Sequence, residues 1–521
     1  MKNKKKIFAV LISLIIIPLA IQAQDITDEY EEFLRQRNQE MIDFQNNRDK
    51  EFAAFLKESW ELYSAVAGLK REVPGPTVPP RYKEPVTPPP SKQPDKKPVA
   101  PPPSKQPDKK PVAPPPGKQP DKEPVTPPPG KQPDKQPVTP PPSKQPDKEP
   151  VKPPVPVQRP KGNVDNIDFF GGTYPVSLTE RKIHLTDISE QGISDAWTAM
   201  AKMDYAPLIK DCLKIKSDLG LNDWGYILLA KAVGERLSKR MDKDEISFVQ
   251  MFILLQSGYK VKMARMNNHL GMLIACKHVL YNLPYSDING DRYYIFSNVE
   301  NESIGSYYTY KKDFTTASHL LDMNVSSQVN LSYAPVAKDI PLTAGKYQVK
   351  SVVNKNLMDF YNTFPQCDFD IYYNAKPSSQ FNDIILPQFK EMVDGKSRQE
   401  AVTILLSFIQ HSFPYATDYE QFRYEKTFFV DECFYWPSSD CEDRAILFTY
   451  LVKEILDMDA VLLLYPRHLA AAVYFDQDIQ GDYVNYKNKK YTICDPTYIG
   501  APIGTCMPEY RNTVPEKIYS Y

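Results

Sequence analysis

Between positions 74 and 160 the chain carries 34 of its 50 prolines, and Pro-Pro-Pro recurs there every 13 residues, at Pro88, Pro101, Pro114, Pro127 and Pro140. Each triplet is followed by a Ser/Gly-Lys-Gln-Pro-Asp-Lys unit. Proline fixes φ and offers no N–H, so this density forbids helix and sheet and favours extended polyproline II at ~3.1 Å per residue. Residues 73–163 therefore read as a disordered linker, with a reach on the order of 200 Å, that holds a globular part away from whatever precedes it. What remains of the 521 residues contains nearly all of the 33 Tyr and 24 Phe and is long enough for two domains. Twenty glycines exclude collagen, and a formal charge of −1 gives no general attraction to nucleic acid or anionic lipid, so neither is an expected partner.

Ahead of the tract lie two segments of different character. Met1–Lys6 holds four lysines, Ile7–Ile21 is apolar, and Ala23 offers a small residue for cleavage. Residues 1–23 thus read as a secretory signal peptide, and no membrane span is expected after its removal. No cysteine occurs before Cys212, so no lipid-anchored cysteine is available, and a periplasmic or secreted location follows. Seven cysteines, an odd number, leave at least one thiol free or paired with another chain in an oxidising compartment. Within the segment 24–72, residues 25–68 fall into four blocks of eleven with apolar residues at the sixth and ninth places: Tyr30 and Phe33, Met41 and Phe44, Phe52 and Phe55, Tyr63 and Val66. Eleven residues in three turns keep this stripe on one helical face, so the 25–68 helix is expected to self-associate or to dock into a groove.

The chemistry gathers near the C-terminus. Asp440-Cys441-Glu442-Asp443-Arg444 opens an apolar run of helical length, with Ser438, Ser439 and Asp440 as N-cap candidates. Cys441 in a first helical turn would have its thiolate favoured by the free N–H groups and the helix dipole. Strands over Ala460–Tyr465, Leu469–Phe475 and Lys490–Cys494 follow, with Pro466-Arg467-His468 between the first two and Asp495-Pro496-Thr497 after the third. A thiol nucleophile needs a base in hydrogen-bond reach and that base needs a carboxylate to fix its tautomer, and Cys441, His468 and Asp495 supply the three. The oxyanion would use the Cys441 N–H and a side-chain donor, with Trp436, Tyr424 and Gln421 as candidates. The sequence shows neither a Cys/His metal pattern nor a phosphate-binding glycine loop, and no cofactor or metal is expected.

Asp440-Cys441-Glu442-Asp443-Arg444, Tyr465-Pro466-Arg467-His468 and Cys494-Asp495-Pro496-Thr497-Tyr498-Ile499-Gly500, in that order, resemble the transglutaminase-like family of papain-type thiol enzymes, in a bacterial branch. The resemblance covers roughly residues 396–521. It implies Cys441 as nucleophile, His468 as base and acid, and Asp495 as the group that orients it. Two departures are visible: Ser439 where the family often has glycine, and Arg467 where it commonly has a small residue, which bears on substrate choice.

The globular part also echoes itself. Asn268–Ala275 matches Arg467–Val473 at an offset of 199, which sets Asp242 against Cys441; a one-residue shift sets Ser297 against Asp495. Trp224–Ala230 matches Ala401–Ser407 at an offset of 177, which leaves about 22 extra residues, near 415–436, before Cys441. The expected architecture is α+β: residues 164–335 form a degenerate transglutaminase-like unit and 336–521 a second one that carries the triad. The expected function is cysteine-dependent acyl transfer on a peptide or carboxamide of a protein substrate, with hydrolysis favoured over amine cross-linking. The competing expectation is an envelope adaptor that binds peptide or glycan without reacting.

Overall fold

The computed structural model describes residues 32–58, 60–71, 79–83, 163–178, 183–238, 241–300, 304–338 and 341–520. The leader, Tyr30 and the 13-residue repeats fall outside these. Helices and sheets are both present, as expected of an α+β chain.

The first helix, α1, covers 32–56, and here the eleven-residue reading needs correction. Its fourth block is not helical: Glu61–Ser64 forms a strand, β1, paired antiparallel with Ser306–Thr309. An open sheet edge supplies hydrogen-bond partners that a periodicity argument does not see, and tertiary pairing overrides local preference. The apolar stripe also divides. Phe33, Met41 and Phe44 are each more than half exposed, whereas Phe52 is buried, edge-on to Trp197 at 4.7 Å and to Phe314 at 4.8 Å. The groove that receives the end of α1 thus belongs to the chain itself. A buried polar contact fixes it, with Arg48 and Asp49 bonded to Gln256 and Tyr205.

A hairpin, β2 (Val164–Phe169) and β3 (Gly172–Ser177), leads into helices α2 (Glu190–Ala201), α3 (Ala206–Asp218), α4 (Asp223–Leu237) and α5 (Lys243–Gln256). Strands β4 (Val261–Met266), β5 (His269–Ala275), β6 (Tyr285–Ile288), β7 (Asp291–Phe296) and β8 (Ser306–Thr309) follow, in a sheet ordered β1-β8-β4-β5-β7-β6. Two small ladders, β9 (Pro335–Ala337) with β12 (Val352–Asn354) and β10 (Leu342–Ala344) with β11 (Tyr347–Val349), form the connection. The expected unit boundary at 335/336 falls inside β9.

The C-terminal part has α6 (Lys355–Tyr361), α7 (Phe369–Tyr373), a π-helical turn at Phe381–Ile385 running into α8 (Leu386–Val393), α9 (Arg398–Ser412), α10 (Asp418–Gln421), a 3-10 turn at Val430–Phe434 and α11 (Cys441–Leu456). Its strands are β13 (Ala460–Tyr465), β14 (His468–Tyr474), β15 (Tyr483–Tyr486), β16 (Lys489–Ile493) and β17 (Lys517–Tyr519). Their order, β17-β13-β14-β16-β15, matches β8-β4-β5-β7-β6 strand for strand, with β1 as an added edge on the first sheet. The outer hairpins agree in turn chemistry as well: Asn289-Gly290 and Lys487-Asn488 all have positive φ, the two-residue turn that suits strand twist. Five residues join α4 to α5, whereas 28 join α9 to α11, so the extra chain sits directly before Cys441.

One continuous apolar core runs from Phe52 to Tyr519 through both sheets' inner faces. The expected role of the proline tract as a separating spacer is corrected by its flanks. Before it, Arg71 donates to the Cys367 carbonyl and lies 3.9 Å over the Phe369 ring, and near its start Tyr82 is hydrogen-bonded to Ile499. After it, Asn163 accepts from the Leu178 N–H in the β2–β3 hairpin. Helix α1 and the segments on both sides of the tract are held by the same folded body.

Candidate active site

Asp440 caps α11, which puts Cys441 at the first helical position. The loop before it is tied down by polar contacts that surround the helix start: Ser439 N–H donates to the Pro414 carbonyl, Phe428 N–H to Asp443 Oδ1 at 2.9 Å, and Arg444 to the Phe413 carbonyl at 2.6 Å. Helix α11 packs on β14, where Tyr465 pairs with His468 across the Pro466-Arg467 turn. Arg467 takes φ +61°, a conformation that favours glycine, and its side chain is exposed. His468 Nε2 lies 2.8 Å from Asp495 Oδ2, and Asp495 Oδ1 accepts from Thr497 N–H at 2.9 Å. With Nε2 directed at the carboxylate, Nδ1 is buried and has no partner. The backbone N–H of Leu469, the residue after His468, acts on the Cys441 sulfur in the direction that favours its thiolate. All three candidate residues are buried, Cys441 and His468 completely.

The expected activation of Cys441 by its helix terminus is not seen in this conformation. Burial pushes the thiol well up, and the Glu442 and Asp440 carboxylates push it further. The thiol donates to Glu442 Oε2 at 3.1 Å. The magnitudes explain the outcome: a helix terminus offers up to ~1 kcal/mol at an ordinary site, whereas full burial shifts a group by several pH units. The ring of Tyr510 stacks on His468, centroids 5.2 Å apart and planes 14° apart, while its hydroxyl donates to the Pro466 carbonyl. The site is closed in the described structure.

The predicted oxyanion donors are otherwise engaged. Trp436 Nε1 donates to Glu432 at 3.1 Å, Gln421 bonds the Ser438 backbone in both directions, and the half-exposed Tyr424 reaches Asn362 at 3.5 Å. Tyr415, which the sequence did not single out as a donor, pairs with Ser439 two residues before the thiol, and its hydroxyl is buried without a partner. Gln410 was also missed. Its amide donates to the carbonyls of Asp495, Tyr498 and Ala501 and accepts from Gly500 N–H, which fixes the loop that carries Asp495.

Behind the thiol, carboxylate oxygens of Asp418, Asp440 and Glu442 lie within 4.8 Å of one another, all buried, an arrangement able to hold a metal ion although no Cys/His pattern announced it. Burial and mutual repulsion hold Asp418 and Asp440 well above the carboxylate range, and the same causes push Glu425 up to about 7. All seven cysteines are unpaired, including Cys433 and Cys494. A cavity of about 950 Å³ lined by Asp218, Lys376, Lys390 and Lys453 contains none of the triad residues.

The first sheet repeats the site with different chemistry. Leu270 N–H donates to Asp244 at 2.8 Å, where the matching Leu469 N–H acts on Cys441, and His269 Nδ1 lies 3.5 Å from the same carboxylate. Ser297 accepts from the N–H two residues on, as Asp495 does. The residue facing the histidine is therefore Asp244 and not the expected Asp242, which caps α5 as Asp440 caps α11. Comparison of the chain with family models, with curated proteins and with solved structures finds no match.

Proposed function

We propose that the C-terminal unit is a transglutaminase-like, papain-type thiol enzyme that transfers acyl groups from a peptide or carboxamide bond. The observation that carries this reading is the His468–Asp495 contact at Nε2, which leaves Nδ1 unpartnered and buried at the end of β14, where the Leu469 N–H meets the Cys441 sulfur. Asp495 holds the tautomer with the proton on Nε2, so Nδ1 is the acceptor for the thiol proton. The thiolate then attacks the carbonyl carbon. The new C–S bond forms, the tetrahedral oxyanion collapses, and the C–N bond breaks as Nδ1 protonates the leaving amine. Water deprotonated by the same nitrogen resolves the thioester in hydrolysis; a lysine amine does so in cross-linking. Hydrolysis is the favoured outcome, by resemblance to bacterial family members. No cofactor is assigned a step.

On this reading the two sheets are tandem papain-like units, and the first, with Asp244 in place of the thiol, binds or packs without reacting. The lysine-rich leader supports a periplasmic or secreted location. No helix among the described residues is long and apolar enough to cross a membrane. A non-catalytic adaptor is the second reading, and the neutral, fully covered thiol bonded to Glu442 is what favours it. Turnover of a fluorogenic peptide mixture, with and without an amine acceptor, decides between them. Release that is lost in Cys441→Ala supports the enzyme, and amine incorporation makes it a transamidase. Peptide binding retained in Cys441→Ala with no turnover in the wild type leaves the adaptor.

A further inference from the structure

Residues 79–83, Pro-Pro-Arg-Tyr-Lys, make a short extended contact with the loop that follows Asp495. Tyr82 N–H donates to the Ile499 carbonyl at 2.9 Å and Ile499 N–H donates to the Pro80 carbonyl at 2.9 Å, a parallel strand pairing centred on Arg81. The Tyr82 ring meets Tyr498 edge-on at 5.8 Å. It packs into a cluster of Tyr498, Ala501 and Met507 that Tyr510 also joins. Tyr510 is the ring stacked on His468. Packed side chains thus connect Tyr82, which enters from the proline tract, through the Tyr498, Ala501 and Met507 cluster to the ring that covers the histidine.

We propose that this edge is the groove in which the enzyme takes an extended peptide, and that Pro79–Lys83 fills it as an internal occupant that keeps the site closed. The inference rests on the thiol-enzyme reading above and adds to it a substrate class and a mode of regulation. Recognition of this form uses the main chain for affinity and a side-chain wall for selectivity. The pairing asks for one N–H and one carbonyl, and the carbonyl comes from a residue that needs no N–H of its own, so proline fits there. Proline also holds the segment extended before it binds, which lowers the ordering cost. The aromatic wall takes the ring two residues later, and Arg81 between them is exposed. The class of ligand is therefore an extended segment of the pattern Pro-x-aromatic. Because Arg71 is anchored only eight residues before Pro79, the internal segment acts at the millimolar effective concentration of a short tether, and a free peptide competes poorly.

The test uses the full chain as wild type, Tyr82→Ala, His468→Ala and the double variant, with iodoacetamide as the probe of Cys441 and a labelled Pro-Pro-Arg-Tyr-Lys-Glu peptide followed by anisotropy. Loss of a packed ring is expected to open the site about tenfold, equivalent to ~1.4 kcal/mol. Tyr82→Ala should then alkylate Cys441 about ten times faster than wild type, bind the labelled peptide more tightly, and be slowed again by saturating peptide. Equal alkylation rates together with no gain in peptide affinity would overturn the proposal. The enzyme reading fails separately: if His468→Ala leaves the rate unchanged in both backgrounds while Tyr82→Ala still accelerates it, the groove stands without the catalyst. A wild-type rate that depends on His468 but not on Tyr82 removes the groove alone.

Discussion

Replacing Gln410 with leucine tests whether the loop carrying Asp495 is held by the side chain that reaches it from α9. Leucine keeps most of the volume and removes four hydrogen bonds. Their losses are unequal. Tyr498 O still accepts from Ala501 N–H, and Gly500 is exposed, so its N–H finds water. The carbonyls of the buried residues Asp495 and Ala501 have Gln410 as their partner and would be stranded. A buried polar group left unpaired costs ~1–3 kcal/mol, so two of them cost about 3 kcal/mol in all. Because one core joins both sheets, the loss is spread over a body of several hundred residues and lowers Tm by roughly 3–4 °C. Differential scanning fluorimetry reads the shift, and hydrogen exchange of residues 495–501 should accelerate while β14 is less affected. Because Asp495 orients His468, Cys441 alkylation should slow too. A Tm change below about 2 °C with unaltered exchange in that loop would refute the reasoning.

Other outcomes follow from the same contacts. Glu442→Gln removes the largest charge effect on Cys441, so the thiol pKa should fall and alkylation at pH 7 should rise; a slower reaction would show that the carboxylate assists the thiol. Glu425 has a folded pKa of about 7, above its value of ~4.3 in an unfolded chain, so its contribution to stability is present below about pH 4 and lost as pH rises through 7; Glu425→Gln should flatten urea stability over that window. Phe52→Ala should cost ~3–5 kcal/mol in undocking α1 and change Trp197 fluorescence, read in a urea titration. Tyr415→Phe deletes a buried hydroxyl that lacks a partner, so thermal stability should hold or rise slightly in a melting experiment; a drop of several degrees would mean that the hydroxyl is bonded after all.

The His468–Asp495 contact and the place of Cys441 at a helix start were legible because they depend on local signals. An N-cap aspartate, a two-residue turn before His468 and an Asp-Pro after a strand each fix one group, and antiparallel pairing of β14 with β16 brings His468 and Asp495 together. The echo between the two halves was visible for a related reason, as matched apolar spacing in two stretches, although the strand order was not. What sequence did not show depends on partners distant in the chain. Glu61–Ser64 became a strand because β8 offered an edge, and Gln410 looked like one polar residue on an apolar helix until its loop closed over it. Cys441 was expected to be activated by a helix terminus, yet burial beside Glu442 outweighs that field. The segment at Pro79–Lys83 was read as the start of a spacer because proline content says nothing about a loop 400 residues away that can pair with it.

The most direct test of the account is the rate of Cys441 alkylation in the full-length protein from pH 5 to 9, compared with His468→Ala. A thiol whose proton is taken by His468 should react at least ten times faster at pH 6–7 in the wild type than in the variant, and the two profiles should converge only in the alkaline range, because burial and Glu442 hold an unassisted thiol above its ordinary value. Superimposable profiles, rising together only in the alkaline range, would contradict the central claim that Cys441 and His468 act as one catalytic pair.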